Sequence, residues 1–223
     1  MTKLISPFST IESSPIISGI PAYHTNSHLH NFVNKYKEKD KQNEFLPQLE
    51  AVVQTMLELD LKKSPRYVVL CGHVGSGKTH FLVGLYRALS QKIGYTQGDG
   101  AFFTTFAYLA EEIIGMFAQD IPLRTALATY VQPRWLFIDD FTSSERIFKQ
   151  NSLEFNVFRD ILIDRFENNF VLVTTCNLAA INFMEAMDKL FGSYITSRLS
   201  ASSVIEFPEV DLRKVYTPIK KGE

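Results

Sequence analysis

The sequence predicts an α/β domain in which a five-stranded parallel sheet is flanked by helices. Three observations carry this. From residue 67 onward, short apolar runs alternate with longer stretches of helical spacing. The short runs are almost continuously apolar, as strands covered on both faces must be. A Gly-rich turn joins the first run to the first long helix. The 223 residues fit one domain, and 45% apolar content suffices for a buried core.

The opening residues 1–18 are rich in Ser, Thr and Pro and poor in charge, which predicts an extended or partly disordered lead-in. Between Ser27 and Gln42, aromatic residues mix with a charge run, Lys35–Lys41, the pattern of a solvated helix face or loop. Together these give an N-terminal extension over residues 1–43, a main domain over 44–214 and a tail over 215–223. The main domain opens with a helix in Glu44–Leu61, where Leu46, Leu49, Val53 and Met56 fall near helical spacing. Strands are expected at Tyr67–Cys71, Ala101–Thr104, Trp135–Asp139, Phe170–Thr175 and Val204–Phe207. Helices are expected between them at Lys78–Gln91, Ala107–Gln119, Ser152–Glu167 and Leu178–Lys189. Asn151 or Ser152 is the expected cap of the third of these helices, with Phe155, Phe158, Leu162 and Phe166 along one face.

Composition removes several functional classes. Lys plus Arg number 23 and Asp plus Glu 24, for a net charge of −1, so this is not a strongly basic DNA-coating protein. The two cysteines, Cys71 and Cys176, lie inside apolar runs and read as buried thiols rather than a disulfide framework or zinc site. No apolar run has the length of a membrane span and no apolar leader follows Lys3, so the expected location is the cytoplasm, without membrane contact.

The segment Gly72-His73-Val74-Gly75-Ser76-Gly77-Lys78-Thr79 fits G-x-x-x-x-G-K-[ST] in full, between an apolar strand and an amphipathic helix. Its glycines let backbone N–H groups curl around phosphate oxygens, and the helix N-terminus adds the positive end of its dipole. Lys78 is then expected on the β and γ phosphates, and the Thr79 hydroxyl on Mg²⁺. His73 and His80 have no third metal ligand nearby and read as loop and helix-surface residues. The run Trp135–Ile138 ends in Asp139 and Asp140. Following a phosphate loop, the first carboxylate is expected to hold Mg²⁺ and the second to polarise an attacking water. Asn177, just past the fourth strand, is placed either to orient that water or to cap the next helix. From spacing alone, Arg198 reads as a surface salt-bridge residue.

In this order the parts resemble the AAA+ ATPases, and among them the helicase-loader branch of DnaC and IstB-like proteins. The likeness runs from about Ser18 to Lys214. Ser18-Gly19-Ile20-Pro21 with His30-Asn31-Phe32 is similar to that branch's lead-in. Gly75–Phe81, including Thr79-His80, resembles its phosphate loop, and Leu136–Phe141 its acidic strand. Val173–Asn177 is similar to the strand that ends in its sensor Asn. Leu190-Phe191-Gly192 followed by Ile195–Leu199 resembles its arginine-finger helix, and Asp211-Leu212-Arg213 its closing segment.

The resemblance implies an ATP·Mg²⁺ site with Asp140, Asn177, a neighbour's Arg198 and a second-sensor Arg213 as its catalytic set. It also implies a homo-oligomer in the ATP state and a replicative helicase or transposition protein as partner. Too few residues follow Arg198 for the helical lid of other AAA+ proteins, and the loader branch lacks that lid as well. Many AAA+ proteins carry Asp-Glu where this chain has Asp139-Asp140, a pair shared by IstB-like members, and the shorter second carboxylate implies slow hydrolysis. The branch contacts single-stranded DNA through helices between its second and third strands. Here that region, 106–133, holds Phe106, Tyr108, Phe117 and Tyr130 but only one cation, Arg124, so weak DNA binding is expected. Two other classes compete. A small phosphotransferase would carry its loop near the N-terminus and an Arg-rich acceptor lid, neither of which is seen. The third reading is an interaction protein that binds nucleotide without hydrolysing it.

Overall fold

The computed structural model describes residues 20–37, 45–94, 100–142, 149, 152–199 and 202–215. The lead-in expected over 1–18 and the tail from 216 on lie outside these residues.

Five strands form one parallel sheet: β1 (Tyr67–Cys71), β2 (Ala101–Thr105), β3 (Trp135–Asp139), β4 (Val171–Thr175) and β5 (Ser203–Glu206). Their spatial order is β2-β3-β4-β1-β5, with every neighbouring pair parallel. Each strand stands within one residue of its expected bounds. β1, β3 and β4 are buried at every position, which is why their sequences lack the polar alternation of a half-exposed strand. The register pairs Leu70 with Thr175, Thr105 with Asp139 and Cys71 with Glu206. The carboxyl ends of the strands therefore finish level, and open α/β sheets bind ligands at that edge.

Side chains alternate between two cores. Val68, Leu70, Phe137 and Val173 face α1 (Leu29–Lys37), α2 (Phe45–Leu57) and α3 (Lys78–Ile93). Tyr67, Val69, Leu136, Ile138 and Leu172 face the opposite layer. That layer contains α4 (Phe106–Phe117), the single turns α5 (Leu123–Ala126) and α6 (Ala128–Val131), α7 (Leu153–Glu167) and α8 (Ala180–Leu199). Cys71 and Cys176 are buried and unbridged.

Four departures from the sequence reading have physical causes. First, the chain before residue 44 is not wholly an appendage: Leu29, Phe32 and Val33 of α1 are buried in the first core. α1 crosses α3 at Gly84, where a Cβ would lie 2.8 Å from the Leu29 backbone nitrogen. Second, α2 stops at Leu57 because Leu59 adopts φ 59°, a left-handed conformation no helix can continue through. Third, α4 begins at Phe106, where Thr105 accepts a hydrogen bond from the Tyr108 backbone and caps it. Fourth, α8 continues ten residues past its expected end, bent at Gly192, whose φ of 67° and ψ of −178° only glycine holds easily. α7 is capped by Ser152, whose Oγ accepts from the Phe155 backbone at 3.0 Å.

Candidate nucleotide-binding site

β1 ends at Cys71 and α3 starts at Lys78, so the loop between them turns through Gly72, Gly75 and Gly77, with φ of 128°, 90° and 91°. At Gly72 a Cβ would stand 2.9 Å from the Phe207 carbonyl oxygen, so a side chain is excluded by contact as well as by conformation. Lys78 is 6% exposed. Its Nζ donates to the carbonyls of Gly72 at 2.9 Å and His73 at 2.8 Å, which leaves one of its three donors. Burial lowers its pKa. Ser76 is fully buried and its Oγ donates to the His73 carbonyl, bracing the loop from inside.

The two carboxylates at the end of β3 differ in setting. Asp139 is buried, and its Oδ1 accepts from Thr175 Oγ1 at 2.6 Å and Thr79 Oγ1 at 3.0 Å. Burial pushes its pKa up, while these two hydrogen bonds pull the other way. Asp140 sits at φ 51° beyond the strand. Its Oδ1 accepts from Asn177 Nδ2 at 2.8 Å and its backbone nitrogen donates to Thr175 Oγ1 at 2.7 Å. Burial raises its pKa too, and Lys78 opposes the shift. Asn177 thus reaches Asp140, and its backbone N–H donates to Thr142 Oγ1. The Thr79 hydroxyl and Asp139 carboxylate supply the hard oxygens Mg²⁺ takes, so this pair fits that ion. Among the described residues, no group of three or more His, Cys, Asp or Glu side chains is arranged to hold a metal.

These residues open onto one cleft of about 690 Å³. Val74, Gly75, Gly77, Lys78, Thr79, His80, Asp139, Asp140, Asn177 and Arg213 all line it. Arg213 arrives on the 3₁₀ turn Leu212–Val215, where the Leu212 N–H donates to the Gly75 carbonyl at 2.9 Å. Asp211 Oδ1 accepts from Arg213 Nε at 3.1 Å. This pair packs so closely on the loop that a Cβ on Gly75 would lie 2.5 Å from Asp211 Oδ1.

Three expected site residues lie elsewhere or act differently. His73 is exposed and pairs with Glu209 at 2.7 Å. His80 lines the cleft, and its Nε2 contacts the His28 carbonyl and Asn31 Oδ1. Arg198 does not line its own chain's cleft. Its guanidinium stacks on the Tyr194 and Phe166 rings, and among the described residues it forms no surface salt bridge of the kind that spacing alone suggests.

The sequence reading missed Thr175 and a wall formed by Tyr23, His24, Asn26, Ser27 and Asn31. Thr175 was legible as a hydroxyl at the inner end of an apolar strand. The wall had no local signal, because it reaches the cleft only through the packing of α1 on α3.

No helix among the described residues is long and apolar enough to cross a membrane. Comparison with curated proteins by sequence gives no match. Among solved structures, a DnaC helicase loader is similar with a TM-score of 0.62 at 15% identity, over 84% of this chain and 100% of that one. A DnaI structure follows at 0.60 and 15%, over 86% and 94%. AMPPCP-bound DnaA from Aquifex aeolicus is similar at 0.57 and 15%, over 76% of this chain. The chain spans about half (49%) of that DnaA chain. At these identities the likeness establishes a shared fold and nothing finer. The family model described as IstB-like ATP binding protein matches residues 30–203, from α1 through the start of β5, and the chain belongs to that family.

Proposed function

We propose that this chain is a Mg²⁺-dependent ATPase of slow turnover that serves as a nucleotide-switched assembly factor, loading a replicative helicase. One observation carries the ATPase reading. Thr175 ties together two carboxylates with different partners, one on the Thr79 hydroxyl and one on Asn177, beside a buried lysine. In this reading the loop backbone and Lys78 hold the β and γ phosphates, and Thr79 and Asp139 hold the metal. Mg²⁺ held by this pair would supply positive charge to offset that of the bound phosphates. Asp140, fixed by Asn177, accepts the proton of the attacking water. Arg213 is suited to the nucleotide from within the subunit, and Arg198 to the γ-phosphate of a neighbour's nucleotide in a homo-oligomer.

The family match supports ATP as the nucleotide. The likeness to a DnaC helicase loader supports a helicase as partner; a transposition protein is the alternative that IstB membership supports. Weak single-stranded DNA binding accompanies either. Tyr108 and Phe117 are 59% and 39% exposed, whereas Phe106 and Tyr130 are fully buried and unavailable to stack on bases.

The test measures ATP hydrolysis with and without Mg²⁺ and single-stranded DNA, with AMP and dTMP offered as phosphate acceptors. Phosphate release without acceptor phosphorylation supports the reading. Transfer to AMP or dTMP means a phosphotransferase, and binding without release means a non-hydrolysing interaction protein. Mixing Arg198→Ala with Lys78→Ala subunits tests the finger, because interfaces joining an intact loop to an intact Arg198 should regain activity. A pull-down with the ATP-trapped form, read by mass spectrometry, separates helicase from transposition partner.

A further inference from the structure

The last turns of α8 place a cation in a setting that the nucleotide cleft does not explain. Past the bend at Gly192, Ile195 and Leu199 are 4% and 2% exposed and anchor the segment in the second core. Tyr194 and Arg198 lie one helical turn apart, and Tyr194 is 53% exposed. The Arg198 guanidinium carbon stands 3.5 Å from the Tyr194 ring centroid and 4.5 Å from that of Phe166 on α7. Its Nη1 donates to the Tyr194 carbonyl at 2.7 Å.

All of these partners are uncharged. Among the described residues no carboxylate is recorded in an ion pair with Arg198. Two rings and a carbonyl therefore restrict the rotamers of a long side chain while leaving its positive charge unspent. Among the described residues one of its five N–H donors is occupied, by the Tyr194 carbonyl. An aspartate in place of the ring would fix the arginine equally well but cancel the charge.

We propose that Tyr194 is a positioning residue for Arg198, holding the guanidinium in place for the terminal phosphate of a nucleotide bound to the neighbouring subunit. The inference rests on the trans-finger reading above. Ring stacking does the work, so the tyrosine hydroxyl is dispensable and the aromatic face is not.

The experiment compares wild type, Tyr194→Phe, Tyr194→Leu, Arg198→Ala and Tyr194→Leu/Arg198→Ala for ATPase kcat and KM and for ATP-dependent assembly by sedimentation. Tyr194→Phe should match wild type. Tyr194→Leu should lose about two- to fivefold in kcat, the scale of one exposed cation–π contact, at unchanged KM and with weaker assembly. In the Arg198→Ala background the same substitution should cost nothing further, since its effect passes through the arginine. A wild-type or raised kcat in Tyr194→Leu overturns the proposal, and so does an equal loss in both backgrounds, which would mark a merely structural role. If Arg198→Ala is slow while Tyr194→Leu is not, only the positioning role fails. If Arg198→Ala hydrolyses and assembles like wild type, or wild type does neither with ATP, the trans-finger reading fails and takes this inference with it.

Discussion

Thr175 Oγ1 donates to Asp139 Oδ1 at 2.6 Å, and the same oxygen accepts the backbone N–H of Asp140 at 2.7 Å. One hydroxyl on β4 thereby sets the side chain of the first carboxylate and the backbone of the second. Thr175→Val keeps the shape and the strand preference but leaves a buried carboxylate short of a donor and an N–H short of an acceptor. Such losses cost roughly 1–3 kcal/mol each, and more where the group is charged. Denaturant titration should show a destabilisation in that range, and isothermal titration a weaker Mg²⁺-dependent nucleotide affinity.

Lys78→Ala should abolish tight Mg·ATP binding while the fold survives. Among the described residues the ammonium's hydrogen bonds go to two loop carbonyls, and these can turn to water when it is removed. Circular dichroism and a nucleotide titration test both halves. Unchanged affinity would remove the assignment of this loop.

Asp140→Asn should still bind ATP but lose turnover, because an amide cannot accept the proton from water. Its contact with Asn177 Nδ2 can be kept through the amide oxygen, so the geometry survives and the chemistry does not. Asp139→Asn should instead weaken Mg²⁺-dependent binding. Wild-type hydrolysis rates in both variants would mean that these carboxylates are misassigned.

His28 should contribute a loss of stability as pH is lowered through the ordinary histidine range. Burial lowers the pKa of His28, with Arg87 and His30 adding to the shift. Near pH 6.5 and below, the unfolded chain therefore binds a proton that the folded chain does not, and acid favours unfolding. The loss begins at the unfolded pKa and levels off once the folded state is also protonated. Urea midpoints measured between pH 8 and 5 should show this slope, and it should flatten in His28→Gln.

Arg165 is fully buried, and its guanidinium donates to the carbonyls of Tyr130, Arg134 and Val171. It joins α7 to the N-terminal ends of β3 and β4, opposite the nucleotide edge. Arg165→Met keeps much of the stem packing but strands those carbonyls. A destabilisation of roughly 3 kcal/mol is expected from several lost hydrogen bonds to a charged donor, read by thermal or denaturant unfolding.

The strands, the phosphate loop and the acidic strand end were legible in the sequence because each is a local pattern. An unbroken apolar run, glycines at fixed offsets and a carboxylate pair after Ile138 need no knowledge of distant residues. Tertiary structure alone decided how the site is assembled around them. His80 meets Asn31 and His28 from about fifty residues away, and that docking turns Tyr23–Asn31 into a cleft wall. Thr175 meets Asp139 only because β3 and β4 are neighbours in register. Arg165 is drawn inside by the carbonyls of Tyr130, Arg134 and Val171, which converge on it from three separate segments and leave no local pattern in the sequence. Arg198 was read first from its spacing and then from its likeness to a family. Its stack on Tyr194 is an i,i+4 contact within one helix, whereas its contact with Phe166 follows from the packing of α7 against α8, which one-dimensional periodicity does not encode.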